Sequence, residues 1–246
     1  MILRADLHIH SCQDPLDNLP QSIPDIVARA AIRGLHCLAI TNHRTFTWDA
    51  AAAADALQRG VLLIPATEAR IENADVLIYN ADARAAAVRT FDELRRYRTP
   101  AHLIVAPHPF YPLTHSLHAA LLQHGDLFDA IELSPFSLPG FDVYNNRARC
   151  AAAQLNLPLV CNTDAHNLWQ LGGSWTEIDA SALEVTAVLA AIRAGRVRPV
   201  CRRFSPPSIF WFCARGALRW RLRELREWRA RRYANKPRSN TTCSVP

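Results

Sequence analysis

The chain has 246 residues, 50% of them apolar and 20% charged, enough for one sizeable core in a single α/β unit. Its formal net charge of +6 is unevenly spread: residues 202–238 hold eleven Arg and one Lys against Glu224 and Glu227, a balance of +10, which leaves the rest at −4 and excludes a basic nucleic-acid coat over the whole protein. Seven cysteines (Cys12, Cys37, Cys150, Cys161, Cys201, Cys213 and Cys243), odd in number and without a C-x-x-C pair, exclude a zinc ribbon and a disulfide framework.

The opening MILRADLHIH places Arg4 and Asp6 where an export signal is apolar, and no run reaches the roughly 18–20 apolar residues of a membrane span, so a cytoplasmic protein with reduced thiols is expected. Apolar runs predict strands at 2–9, 36–41, 61–66, 75–79, 102–106, 128–133, 157–161 and 196–201. Ala-rich amphipathic stretches predict helices near 22–33, 47–59, 84–98, 114–124, 142–154 and 181–194. LHCLAIT, VLLIPAT, HLIVAP and DAIELS are nearly continuous in apolar character, as strands covered on both faces are. The alternation of strand and helix predicts an α/β barrel or a doubly wound sheet.

Pro206 and Pro207 mark a change of composition, so a body over 1–204 and an extension over 205–246 are expected. In the extension Trp211, Ala214, Leu218, Leu222, Leu225 and Trp228 recur at helical steps with Arg between them. This predicts a basic amphipathic helix that packs its apolar stripe on the body, lies on an anionic membrane surface, or contacts nucleic-acid phosphates. The residues from Lys236 onward are expected to be disordered.

Chemistry-bearing residues gather where strands end, the usual place for a site in barrels and open α/β sheets. The first strand ends in Asp6, His8 and His10, and an H-x-H on a strand points both imidazoles to one face. The next ends carry His43, then Glu68, then His108 between two prolines, then Asp164 and His166. Any one histidine is more often a structural residue than a ligand. The recurrence of D-x-H-x-H, N-H, Glu and D-x-H at successive strand ends points to a divalent metal cluster. Mixed imidazole and carboxylate donors suit Zn, Mn or Fe. Cys12 lies two residues past His10 and reads as a small thiol beside the site.

In this order the motifs DLHIHS (6–11), GLHCLAITNH (34–43), PATE (65–68), APHP (106–109) and NTDAH (162–166) resemble the PHP (polymerase and histidinol phosphatase) family of metal-dependent phosphoesterases. The resemblance runs over about residues 3–201 and implies a distorted seven-stranded β/α barrel with two or three divalent ions. It implies that His8, His10, Glu68 and Asp164 hold one metal, that Glu68 bridges to a second ion with His108, and that His43 and His166 hold a third. An acidic residue of the loop SCQDPLDNL completes the third set; Asp17 matches the spacing better, and Asp14 is the alternative. Asn42 stands where many members have Asp. Asp75 stands where the family often has His and, as a carboxylate, is a candidate metal ligand in its place, so the second metal position departs from the pattern. His8, His10, Glu68, Asp164 and Arg44 are the expected catalytic groups, with Arg44 holding a phosphate oxygen and Arg147 and Arg149 as second choices. The implied activity is phosphate-ester hydrolysis, on a phosphatase substrate or a nucleotide or oligonucleotide; the alternative is a non-catalytic metal-binding module that serves a structural or partner-binding role.

Overall fold

The computed structural model describes residues 1–136 and 142–205, with Pro207. Residues 1–203 form one unit and 204–246 separate as a second. Every strand and helix named below lies in the first. The basic helix and the tail expected within 205–246 lie outside the described residues.

The most apolar runs form the middle of two sheets. In the first, β1 (Ile2–Ile9) lies parallel to β2 (Cys37–Ile40), and β2 lies parallel to β3 (Leu62–Ile64). The other edge of β1 pairs antiparallel with β9 (Trp175–Asp179), which carries β10 (Val197–Val200) beyond it. The second sheet has the order β4 (Ala66–Ile71), β5 (Ala74–Tyr79), β6 (Leu103–Ala106), β7 (Ala130–Leu133), β8 (Leu159–Cys161). Its β4–β5 and β5–β6 pairs are antiparallel, and its β6–β7–β8 part is parallel.

These are two mixed five-stranded sheets, which corrects the expected seven-stranded barrel: among the described residues no continuous ladder closes the two sheets on each other. Polar residues and a proline account for the seams. Pro65 has no N–H to continue a ladder between β3 and β4. Beyond it only the single bridge His43–Glu68 joins the sheets on that side. At the other seam the single bridge Ile9–Ala165 is joined by side-chain bonds: Asp6 accepts from Thr163 N at 3.0 Å and Thr163 Oγ1 at 2.6 Å, and Asn162 Oδ1 accepts from Leu7 N at 2.8 Å. Inside, Tyr79 reaches across from one sheet to the other, its hydroxyl donating to Leu7 O at 2.9 Å. His43 and Glu68 meet at one seam, and His8, His10 and Asp164 at the other, so both seams border one site.

Strand β9, WTEID, was not among the expected strands; its polar alternation after Gly172 and Gly173 lacks the continuous apolar run of a central strand. The helix expected over 84–98 divides into a 3-10 turn, Ala83–Ala87, and α3 (Phe91–Tyr97), because Thr90 and Glu93 form a capping box that starts a new helix. The segment expected as a helix over 114–124 keeps only α4, Ala119–Gln123. Helix α1 (Ile23–Arg33) agrees with expectation: Ser22 and Asp25 cap it, Ile23, Ile26, Val27 and Ala30 are buried, and Gly34 ends it at φ 67. Such a cap contributes about 1 kcal/mol. The remaining helices, α2 (Ala50–Gln58), α5 (Val143–Leu155) and α6 (Val185–Arg193), cover the sheets with Ala-rich faces.

Candidate metal centre

Strand periodicity puts His8 and the residue two places on, His10, on one face, and both side chains are fully buried. Around them β4 brings Glu68, the segment after β6 brings His108 and the segment after β8 brings Asp164. Among the described residues four overlapping triads have ligand atoms all within 4.8 Å of one another: His8–Glu68–His108, His8–His10–Asp164, His10–Asp14–His43 and His43–Glu68–Asp75. Glu68 Oε2 stands 3.4 Å from His8 Nε2, 3.5 Å from His10 Nε2 and 3.2 Å from His43 Nε2. Asp164 Oδ1 lies 3.3 Å from His8 Nε2 and 3.2 Å from His10 Nε2. The ring of His10 is stacked between those of His43 and His166, each with its centroid 4.4 Å away. His108 is farther out, its Nε2 4.0 Å from Glu68 Oε1.

The backbone is held in the left-handed region at three of these positions: Arg44 (φ 55), His108 (φ 28) and Asp164 (φ 50). Such conformations cost about 1–3 kcal/mol each and gather at working sites. Asp6, though it shares the face of His8, lies deeper and caps Thr163; burial raises its pKa to about 7 despite that hydroxyl.

A second ring of contacts turns the imidazoles. Glu132, on β7, takes His8 Nδ1 at 3.2 Å, Asn162 Nδ2 at 2.7 Å and His108 N at 3.3 Å. This leaves His8 Nε2 facing the cluster. Glu132 was not among the expected site residues; the signal for it was a lone carboxylate inside the apolar run AIEL. Asp14 does the same for two rings, with Oδ2 2.9 Å from both His10 Nδ1 and His43 Nδ1 and 2.8 Å from His43 N. Asp17 instead meets His166 Nε2 at 3.0 Å. Asn42 pins the loop after β1, accepting from Ser11 N at 2.8 Å and donating to Ser11 Oγ at 2.8 Å and Thr47 Oγ1 at 3.0 Å.

Asp75 departs from the rest. Its Oδ1 is paired with Arg70 Nε, and its Oδ2 faces His115 Nε2 at 3.3 Å. Neither Arg70 nor His115 was among the expected site residues. Arg44 is exposed, and its N–H donates to Glu68 O at 2.8 Å. Arg147 lies over the Phe110 ring at 4.8 Å, and Arg149 donates to Asp142 and Asn146, each at 3.0 Å.

Burial disfavours every charge here, and the carboxylate–imidazole contacts outweigh it in most cases. His43 is raised to about 9 against burial by Glu68, Asp14 and Asp17. Asp164 is held, against burial, well below the usual carboxylate range by His8, His166 and His10. At Asp75 burial wins, aided by Glu68 and opposed by Arg70, and its pKa rises to about 7. His115 falls to about 4 through burial and the charge of Arg70.

The donor set fits divalent ions on one further observation. His8 Nε2 and Glu68 Oε2 are buried, face the same space and have no hydrogen-bond partner. Each such atom costs about 1–3 kcal/mol. A cation among oxygen and nitrogen donors satisfies both, and the set matches Zn, Mn or Fe in softness. Cys12 is exposed and belongs to none of the triads.

Residues 143–197 match the family model described as PHP-associated. In three dimensions the chain is similar to a two-domain protein containing a predicted PHP-like metal-dependent phosphoesterase from Bacteroides vulgatus, at 18% identity and a TM-score of 0.65, covering 82% of this chain and 65% of that one. It is also similar to a lesion-specific endonuclease from Pyrococcus furiosus, at 18% identity and a TM-score of 0.59, covering 81% of this chain and 58% of that one. The chain thus spans less than two thirds of either protein. A third likeness, to PsfC from Pseudomonas syringae, covers 90% of this chain and 99% of that one at 18% identity and a TM-score of 0.56. No curated protein matches the chain. At this identity the likenesses establish the fold.

Proposed function

We propose that the chain is a metal-dependent hydrolase of phosphate esters of the PHP family, a reading supported by the match of residues 143–197 to the PHP-associated model and by the likeness of the fold to PHP-like structures. The observation that carries the reading is the pair of orphaned buried atoms, His8 Nε2 and Glu68 Oε2, at the centre of an imidazole and carboxylate cluster. The family comparison supports the class of reaction, since one similar protein carries a phosphoesterase domain and another is an endonuclease.

In this proposal His8, His10, Glu68 and Asp164 hold one divalent ion, and Glu68 with His108 holds a second. His43 and His166 with Asp17 hold a third, so the complement is two or three ions of Zn, Mn or Fe. Asp14 then serves as the group that orients His10 and His43, because one of its oxygens already accepts from both rings. When bound, the ions supply Lewis acidity toward a phosphoryl group and bring the pKa of water toward 7. The chain's residues do the rest. Glu132 and Asp14 fix which imidazole nitrogen faces the cluster. Arg44 stands at the rim, able to reach a phosphate oxygen, while its backbone N–H holds Glu68.

The test is elemental analysis of the purified protein, combined with turnover of phosphomonoester, phosphodiester and amide substrates. A divalent metal together with phosphoester turnover is expected, both lost in His10→Ala and Asp164→Ala; turnover should vanish on chelation and return on add-back. Bound metal without phosphoester turnover would instead assign a non-catalytic metal-binding module. Amide turnover alone would move the protein to another hydrolase class. Among the described residues no helix is long and apolar enough to cross a membrane.

A further inference from the structure

The β4–β5 hairpin turns on Glu72 and Asn73, both with positive φ (46 and 69), the arrangement of a two-residue turn whose twist matches the strands. The turn sets a register in which Arg70 is directly opposite Asp75 and Glu68 opposite Leu77. Side chains two apart on a strand share a face, so Arg70 stands next to Glu68 on the side that carries the cluster. One oxygen of Asp75 lies within 4.8 Å of ligand atoms on Glu68 and His43. The Arg70 guanidinium, bonded through Nε to Asp75, is therefore the next group out from the cluster.

The side chain of Arg70 is 19% exposed and that of Asp75 2% exposed, so the cation is held at the edge of the site rather than free in solvent. Only its Nε has a partner; among the described residues its two terminal amino groups have none. Asp75 N donates to His115 O at 2.8 Å, and Asp75 Oδ2 lies 3.3 Å from His115 Nε2 without a hydrogen-bond partner. The arginines expected for phosphate are less suited. Arg44 is exposed, Arg147 lies over Phe110, and Arg149 is bonded to Asp142 and Asn146.

We propose that Arg70 binds a phosphate oxygen of the substrate beside the Glu68 cluster, and that Asp75 is its positioning residue rather than a metal ligand. The inference rests on the phosphoesterase reading. A guanidinium offers two parallel N–H donors to two oxygens of a phosphoryl group, and fixing it beforehand removes the entropy of ordering it on binding. The permanent positive charge also stands on the Glu68 side of the cluster.

Inorganic phosphate is the probe, titrated calorimetrically into the metal-loaded full chain. The double variant Arg70→Gln with Asp75→Asn removes both charges together, so neither is left buried and unpaired. It should weaken phosphate binding by about tenfold or more and raise KM more than it lowers kcat, with metal content unchanged. Arg70→Lys keeps a charge against Asp75 but loses the fork, and should weaken phosphate severalfold; it decides the matter if the double variant does not fold. Unchanged phosphate affinity in either variant overturns the assignment of Arg70. Loss of a metal ion from the double variant overturns that of Asp75, because it makes this carboxylate a ligand. Absence of phosphoester turnover by the wild-type protein defeats the hydrolase reading instead, and the phosphate titration still decides the role of Arg70.

Discussion

Glu68 divides the site into two sides that meet the same physical demand differently. Toward His8, His10 and His43 the buried carboxylates face imidazoles whose rear nitrogens are held by Glu132 and Asp14, and polar atoms at the centre are left without partners. Toward Asp75 the carboxylate is matched by Arg70, a permanent cation belonging to the chain. Compensation is left to an exchangeable ion on the first side; on the second Arg70 covers Oδ1 of Asp75, while Oδ2 has no hydrogen-bond partner. Arginine carries its charge permanently, whereas an imidazole gives up its proton, so a carboxylate beside imidazoles can exchange that proton for a metal ion.

The largest effect that would break this comparison is at the shared group. Glu68→Gln should remove bound metal and lower turnover by on the order of 10²–10³, measured by elemental analysis and steady-state kinetics; retention of both would mean that the imidazole side does not depend on a cation. Glu132→Gln should weaken metal binding by roughly 10–100-fold, since His8 loses the partner that sets its tautomer. A chelator titration reads it, and an unchanged affinity would make Glu132 a structural residue only.

Proton linkage sharpens the same contrast. With its pKa raised from 6.5 to about 9, His43 contributes stability to the metal-free protein that is complete below pH 6.5 and is lost as pH rises through 9. A metal needs the neutral ring, so affinity should rise across that window by up to about tenfold per pH unit for each proton displaced. At a hundredfold excess over Kd, metal should raise Tm by roughly 5–11 °C, and the gap between metal-free and metal-loaded melting curves should widen from pH 6.5 to 9. A gap that narrows would contradict the assignment of His43 as a ligand. The smallest effect is expected at the rim, where Arg44→Ala should lower phosphoester kcat/KM by less than about tenfold, because a solvent-exposed guanidinium holds an anion weakly.

Much of this site was legible in the chain order. His8, His10, His43, Glu68, His108, Asp164 and His166 follow apolar runs, and the end of such a run is readable from local sequence alone. The helix α1 was equally local, since its cap, its stripe and its terminal glycine all lie within one segment. What escaped the reading depends on partners far away in sequence. Glu132 has meaning only when His8 and Asn162, from two other strands, arrive beside it. Strand β9 exists because β1 and β10 pair on either side of a segment with no strong pattern of its own.

By itself the sequence determined which donors are available and at which strand ends they stand, because strand period and apolar runs are properties of neighbouring residues. It also carried the departure at Asp75, as a change of residue type. Only the tertiary structure decided how the donors divide. The hairpin register sets Arg70 across from Asp75, while β7 carries Glu132 and the loop after β1 carries Asp14 to the rear nitrogens of the imidazoles. Whether a buried carboxylate faces a cation of the chain or an unfilled nitrogen depends on distances across the fold.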